Sequence, residues 1–263
     1  MLDNTAPETS HAEPPQGQPR STAPPKAHIG ACVSLSFHRF GTWGQRLWVL
    51  GQMGAARLSL PRVPGIGAWK LCGSGANQGF VPIPNPAVWV ILATWPDAAT
   101  ARAQTAAAHP FTAWAERADE RWTVYLAPTS ARGKWAGIEP FTVSARAKPG
   151  PVAALTRATV RPSVAAQFWR RTPDLNRAIF ADPNVMFRIG IGEVPLMQQV
   201  TFSIWPNTDT MANFARKGLH ADAIRAVREG GWFREELYAR FRILGADGAW
   251  AGGDPLAKLR ECR

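Results

Sequence analysis

Two histidines occupy matching positions in the two halves of the chain, and imidazole is a common metal ligand in proteins. His109 lies 14 residues after Trp95, and His220 lies 15 residues after Trp205. A helix can hold an imidazole rigidly as an axial ligand of haem iron. His109 precedes Pro110, which indicates the start of a helix, whereas His220 lies inside a predicted helix. His220 is therefore our candidate metal or haem ligand, with a surface or capping role as the alternative.

Other motifs that carry chemistry are weak or absent. The glycine-rich segment 73–79 runs into prolines instead of a helix, so we interpret it as a loop and not as a dinucleotide site. Cys32, Cys72 and Cys262 form no CxxC pair, which excludes a zinc cluster and a disulfide framework and favours a reducing cytoplasm. We expect Cys72 to be a buried free thiol. The sequence contains no serine-nucleophile elbow, HExxH or P-loop motif, which argues against hydrolase and nucleotide-binding functions.

Charge and aromatic content favour certain partners. The chain has 30 Lys and Arg residues against 19 Asp and Glu, a net charge of +11 that attracts phosphates, anionic lipid or acidic proteins. Twelve Trp and twelve Phe against two Tyr suit a large, flat, apolar ligand. The basic residues are dispersed and form no nucleic-acid-binding motif, so we expect no nucleic acid partner. The longest apolar stretch, 87–93, is too short to span a bilayer, and the N-terminus lacks a secretory signal.

Residues 1–28 contain six prolines and almost no bulky apolar residue, which predicts a disordered tail. The rest of the chain predicts the element order βαββαβ twice, with matching points 110 to 119 residues apart. We predict an α+β fold of two ferredoxin-like repeats, 29–148 and 149–245, followed by a C-terminal extension, 246–263. Packed sheet against sheet, the repeats form a dimeric-α+β-barrel-type unit with a central apolar cavity. The predicted strands are 32–37, 69–72, 88–95, 121–128, 152–160, 186–191, 200–205 and 235–243, and the main helices are 45–58, 164–180 (interrupted near Pro173) and 209–228.

Several long blocks in order resemble the spheroidene monooxygenase family, the acyclic carotenoid 2-ketolases of purple phototrophic bacteria. The resemblance covers roughly residues 31–244. It rests on RLWVLGQM (46–53), VPIPNPAVWVILATWPD (81–97), YLAPTSARGKWAGIEPF (125–141), AALTRATV (153–160), IGIGEVPLMQQVTFSIWP (189–206) and HADAIRAVREGGWFREELYARFRI (220–243).

The resemblance implies a haem-dependent enzyme that uses O2 to install a keto group at C-2 of spheroidene and related acyclic carotenoids. Two successive hydroxylations at one carbon, with electrons from a ferredoxin-type donor, would produce the ketone. A basic, Trp-rich exterior suits a cytoplasmic protein bound peripherally to the anionic inner, photosynthetic membrane. The alternative is a cofactor-independent α+β barrel that binds or oxidises a large apolar ligand.

The resemblance and the chain's own histidines together give a set of candidate site residues. Related barrel haem proteins place the proximal histidine where His220 lies, and His38, at a strand end expected to open on the barrel, is the runner-up. Gln198 and Gln199 are candidates for the distal side of the haem, with a role as edge-strand polar residues as the alternative. Arg216 and Lys217 are candidates for pairing with the haem propionates, and solvated helix residues are the alternative interpretation.

Overall fold

A computed structural model describes residues 30–76, 79, 81, 83–216 and 218–257. The tail 1–28, Lys217 and Cys262 lie outside these residues. In chain order the elements are β1 (Cys32–Arg39), α1 (Trp43–Ser59), β2 (Trp69–Gly75), β3 (Pro84–Trp95), α2 (Ala98–Ala107), α3 (Phe111–Arg117), β4 (Glu120–Gly133), β5 (Val152–Val160), α4 (Ala165–Ala181), β6 (Phe187–Gly192), β7 (Gln198–Trp205), α5 (Thr208–Arg216), α6 (Gly218–Gly230) and β8 (Phe233–Gly248).

The described strands close into one antiparallel barrel with the order β1-β3-β2-β6-β7-β5-β8-β4. The predicted mixed fold with a barrel is thereby confirmed. The halves meet along a long β4–β8 ladder and along a short β2–β6 contact, in which Gly73 pairs with Gly192 and Ser74 with Ile191. That each half superimposes on a ferredoxin-like unit stays a prediction, as do the domain boundaries.

The barrel interior is packed with aromatic side chains. Phe37 stacks on Trp122 with ring centroids 5.4 Å apart, and Phe187 lies 4.7 Å from Trp122. Trp250 and Leu256, from the segment expected to be a C-terminal extension, are buried in the same cluster. The expected central apolar cavity is therefore wrong, because side chains fill this part of the interior and the C-terminal segment helps to close it.

The helices form outer layers of unequal thickness. In the first half, α1, α2 and α3 cover a cluster of 14 buried residues, whereas the corresponding cluster in the described part of the second half has five. Small side chains explain the difference, because the outward positions of β5, β6 and β7 include Ala154, Gly190, Thr201 and Ser203. The second half thus leaves space between its helices that the first half fills.

Local sequence signals explain where several helices begin and end. Thr42 and Gln45 form a capping box at the start of α1. Pro173 lies inside α4 without ending it, so the predicted interruption is wrong. The helix predicted over 209–228 is instead two helices, and Gly218, with a φ of +59°, stands where the second begins. None of the described helices is both long and apolar enough to cross a membrane.

Candidate functional site

His220 lies in the first turn of α6 and is half-buried. Its ring centroid is 5.0 Å from that of Phe214 on α5. Its buried Nδ1 has no hydrogen-bond partner among the described residues. Burial lowers the pKa of His220 below its ordinary value of 6.5, so the imidazole is neutral at pH 7. A hydrogen bond with the Ala215 main chain opposes this lowering to a smaller extent, and a neutral imidazole is the form of histidine that binds iron.

A cleft of about 660 Å³ opens beside His220, and we call it the His220 cleft. Its volume falls within the range of about 300–1,000 Å³ that is typical of ligand and cofactor pockets. It lies between the end of α4, the loop that follows it, and the helix pair α5 and α6. Its lining residues are Ala178, Ala181, Asp182, Pro183, Asn184, Thr210, Asn213, Phe214, Gly218 and His220.

The other predicted site residues are dispersed. Arg216 is exposed at the end of α5, close in sequence to the His220 cleft, and Lys217 lies outside the described residues. Gln198 and Gln199 begin β7 and line a different cavity. The structure therefore does not bring the two glutamines together with His220.

His38 is buried on the outer side of β1, away from the barrel interior. Its neighbour Phe37 points inward, so His38 faces the helix layer, with its ring 5.5 Å from Trp114 and 6.5 Å from Phe40. The expectation that this strand end opens on the barrel is wrong. Burial, helped by the charge of Arg121, lowers the pKa of His38 to about 3, and its Nδ1 has no hydrogen-bond partner among the described residues.

A second cavity, of about 440 Å³, lies where β2 meets β6, and we call it the seam groove. Glycines form much of its floor because Gly73 and Gly192 pair across the seam. Trp89 and Trp169 are among its walls, and Leu50 and Met53 of α1 line one side. The glycine-rich segment that we interpreted as a plain loop contributes Gly73, Ser74, Gly75 and Gly79 to this groove.

Two buried polar atoms of the seam groove have no hydrogen-bond partner among the described residues: Ser74 Oγ and Gln198 Oε1. Ser74 is only 6% exposed. A buried polar atom without a partner is costly in a folded protein, and a ligand oxygen or an ordered water commonly satisfies it. Ser74 and Gln198 are therefore two polar positions in a groove whose walls include Trp89 and Trp169.

A charged cluster at the barrel end supports the rim of the seam groove. Glu193 accepts a hydrogen bond of 2.6 Å from Trp135 Nε1 and lies 3.7 Å from Lys70 Nζ. Arg157, almost fully buried, pairs with Glu235 and lies over the Trp135 ring at 5.8 Å. These contacts fix the rim residue Glu193 against the barrel.

Comparison with the sequences of known proteins places this chain in a family. A spheroidene monooxygenase of Cereibacter sphaeroides is 51% identical over 234 residues, which cover 88% of this chain and 72% of that protein. A spheroidene monooxygenase of Rhodobacter capsulatus is 48% identical over 229 residues, which cover 86% of this chain and 95% of that protein. The chain belongs to the spheroidene monooxygenase family. The family predicted from the sequence is thus confirmed, although no family model matches the chain.

A solved aldoxime dehydratase structure has the same overall fold as this member of the spheroidene monooxygenase family. The similarity covers 81% of each chain, with a TM-score of 0.55 and 9% sequence identity. At that identity the similarity concerns the arrangement of strands and helices alone.

Proposed function

We propose that this member of the spheroidene monooxygenase family is a haem-dependent enzyme that converts C-2 of spheroidene and related acyclic carotenoids to a ketone. Identity of 51% over most of the chain to a protein with that name carries the proposal. The neutral imidazole of His220, which lines a cofactor-sized cleft, supports the haem.

The residues of the His220 cleft fit a haem. His220 lines the cleft and would hold the iron, while Ala178, Ala181 and Phe214 provide apolar surface for a flat macrocycle. Arg216, exposed near the cleft, and Lys217 remain our candidates for binding the propionates. When bound, a haem supplies the strong oxidant that an unactivated carbon requires and that amino acid side chains lack.

The chain's own residues offer a site for substrate binding. The seam groove offers Trp89, Trp169 and a glycine floor to a flat, extended polyene, and the hydroxyl of Ser74 could donate a hydrogen bond to a ligand oxygen. We therefore assign Gln198 and Gln199 to substrate binding and no longer to the distal side of the haem, because neither lines the His220 cleft.

The proposed reaction is balanced as two hydroxylations. Each consumes one O2, two electrons and two protons, replaces a C–H bond at C-2 by C–OH, and releases one water. The resulting geminal diol loses water to give the ketone. We propose a ferredoxin-type donor for the electrons, which suits a chain with a net charge of +11, and peripheral attachment to an anionic membrane, where carotenoids reside.

Turnover under ¹⁸O2 tests this function directly. Protein loaded with haem is given spheroidene in detergent with a reduced ferredoxin and its reductase, and the products are analysed by mass spectrometry. We expect a 2-keto product that carries ¹⁸O, and no product when haem or O2 is withheld. Conversion by haem-free protein would instead favour the cofactor-independent barrel, and no conversion under any condition would refute the proposed activity.

A further inference from the structure

The helix α1 is apolar on its solvent side as well as on its buried side. Val49 and Ala56 are buried against the sheet, as in an ordinary surface helix. On the opposite side, Trp43, Leu47, Leu50 and Leu58 are 70, 68, 57 and 69% exposed. At 3.6 residues per turn, these four side chains fall within an arc of about 80°. A water-facing stripe of this kind is unusual unless another surface covers it.

The stripe continues onto the rim of the seam groove. Leu50 belongs to both, and Ile83 and Leu196 of the groove lining are also exposed large apolar residues. We call the stripe together with these two residues the α1 face. The mouth of the seam groove therefore opens at the edge of an apolar surface.

Arginines flank the exposed stripe of α1, while Asp119 accepts a hydrogen bond from Gln45 Nε2 in the first turn of α1 and Glu193 lies on the rim of the seam groove. No Asp or Glu occurs between Glu13 and Asp97. Arg57 is exposed beside the stripe, and the guanidinium of Arg46 lies 5.1 Å from the centroid of the Trp43 ring. Apolar and aromatic side chains flanked by arginine are the composition of helices that lie in the headgroup region of anionic membranes.

Two other occupants of the α1 face are disfavoured by the sequence. A second copy paired about a two-fold axis through α1 would bring Arg46 and Arg57 of both copies together, and α1 itself has no acidic residue to compensate them. The tail 1–28 has only Met1 and Leu2 as bulky apolar residues, too few to cover the stripe.

We propose that the α1 face docks on a bilayer that contains anionic phospholipid, with α1 lying in the plane of the interface. Docking of this face turns the mouth of the seam groove towards the lipid, so that a polyene passes from the bilayer into the groove without crossing water. The proposal rests on the proposed function in one respect only: a carotenoid substrate is what would bring the enzyme to the membrane.

Vesicle flotation without carotenoid tests the docking. Full-length, haem-loaded protein is mixed with vesicles of phosphatidylcholine alone or with phosphatidylglycerol added. We expect binding to the anionic vesicles and its weakening at high salt. The double variant Trp43→Ser/Leu47→Ser should bind at least about tenfold more weakly, because it removes apolar surface from the interface. The charge reversal Arg57→Glu, at an exposed position, should weaken binding without any risk to the core.

A matched control changes exposed apolar residues elsewhere. Ile138 and Val143 are 50 and 55% exposed, so Ile138→Ser/Val143→Ser should bind anionic vesicles as the unmodified protein does. Equal loss in this control, undiminished binding by both α1 variants, or equal binding to neutral vesicles would overturn the proposal. A dimer in light scattering that Trp43→Ser/Leu47→Ser dissociates would overturn it in favour of a second copy.

The experiments distinguish a failure of the docking proposal from a failure of the proposed activity. The substitutions at Trp43 and Leu47 lie outside the seam groove and the His220 cleft, so conversion of detergent-solubilised spheroidene should be unchanged in that variant. Vesicle binding by a protein that converts nothing in detergent would refute the proposed function and still support the docking. Conversion without vesicle binding would refute the docking alone.

Discussion

Acidification should weaken the fold through His38, which is buried between aromatic rings. Its pKa is about 3 in the folded protein and 6.5 in an exposed reference state. Between pH 6.5 and pH 3 the unfolded chain therefore binds a proton at His38 that the folded protein does not bind. Because of this difference, the free energy of unfolding falls as the pH is lowered from 6.5 towards 3. At 1.36 kcal/mol per pKa unit, this loss is about 2 kcal/mol at pH 5 and about 5 kcal/mol once both states are protonated.

Urea unfolding at pH 8, 7, 6 and 5 measures this loss when the protein is compared with His38→Phe. The variant keeps a ring against Trp114 and removes the unpaired Nδ1. Between pH 8 and pH 5, the free energy of unfolding of the unmodified protein should fall by about 2 kcal/mol more than that of the variant. The control His109→Phe replaces an exposed histidine, so its free energy of unfolding should change with pH as that of the unmodified protein does. If the free energy of unfolding changed with pH equally in His38→Phe and in the unmodified protein, a buried neutral His38 would be refuted.

Two further predictions concern buried thiols and the seam. Burial raises the pKa of Cys32 to about 11 and raises that of Cys72 further, so neither thiol should react with a disulfide reagent at pH 8 until urea is added; rapid labelling of either in native protein would contradict their burial. Gly192→Ala places a Cβ 2.5 Å from a main-chain oxygen and should cost about 1–3 kcal/mol of stability. In Gly73→Ala the added Cβ meets only the Trp89 ring, at 3.5 Å, so the melting temperature should change little. Equal losses of stability in Gly192→Ala and Gly73→Ala would contradict the seam geometry.

Local patterns predicted most of the elements but not all of their ends. Runs of β-branched and apolar residues placed strands such as β5 and β7 to within two residues, because alternation reports a strand that is buried on one side. The C-terminal segment gave no such signal. Trp250 and Leu256 enter the barrel core from irregular chain, where only tertiary contact decides burial.

The candidate site was likewise predicted from local sequence patterns only in part. His220 was selected as a candidate because its position on a helix and after a Trp-Pro pair can be read locally, and the structure places a cleft beside it. The seam groove was missed because its floor joins Gly73 to Gly192, two distant residues whose pairing no local pattern reports. The signal that could have found it was the presence of two glycine-rich segments, 73–79 directly after one predicted strand and 190–192 at the end of another.

Haem titration of the His220→Ala variant tests the central claim most directly. The unmodified protein and the control His109→Ala should each bind one haem per chain with the same Soret band. His220→Ala should lose or shift that band while its circular dichroism is unchanged, since a half-buried histidine contributes little to the core, and added imidazole should restore the band. An unchanged Soret band in His220→Ala would contradict the assignment.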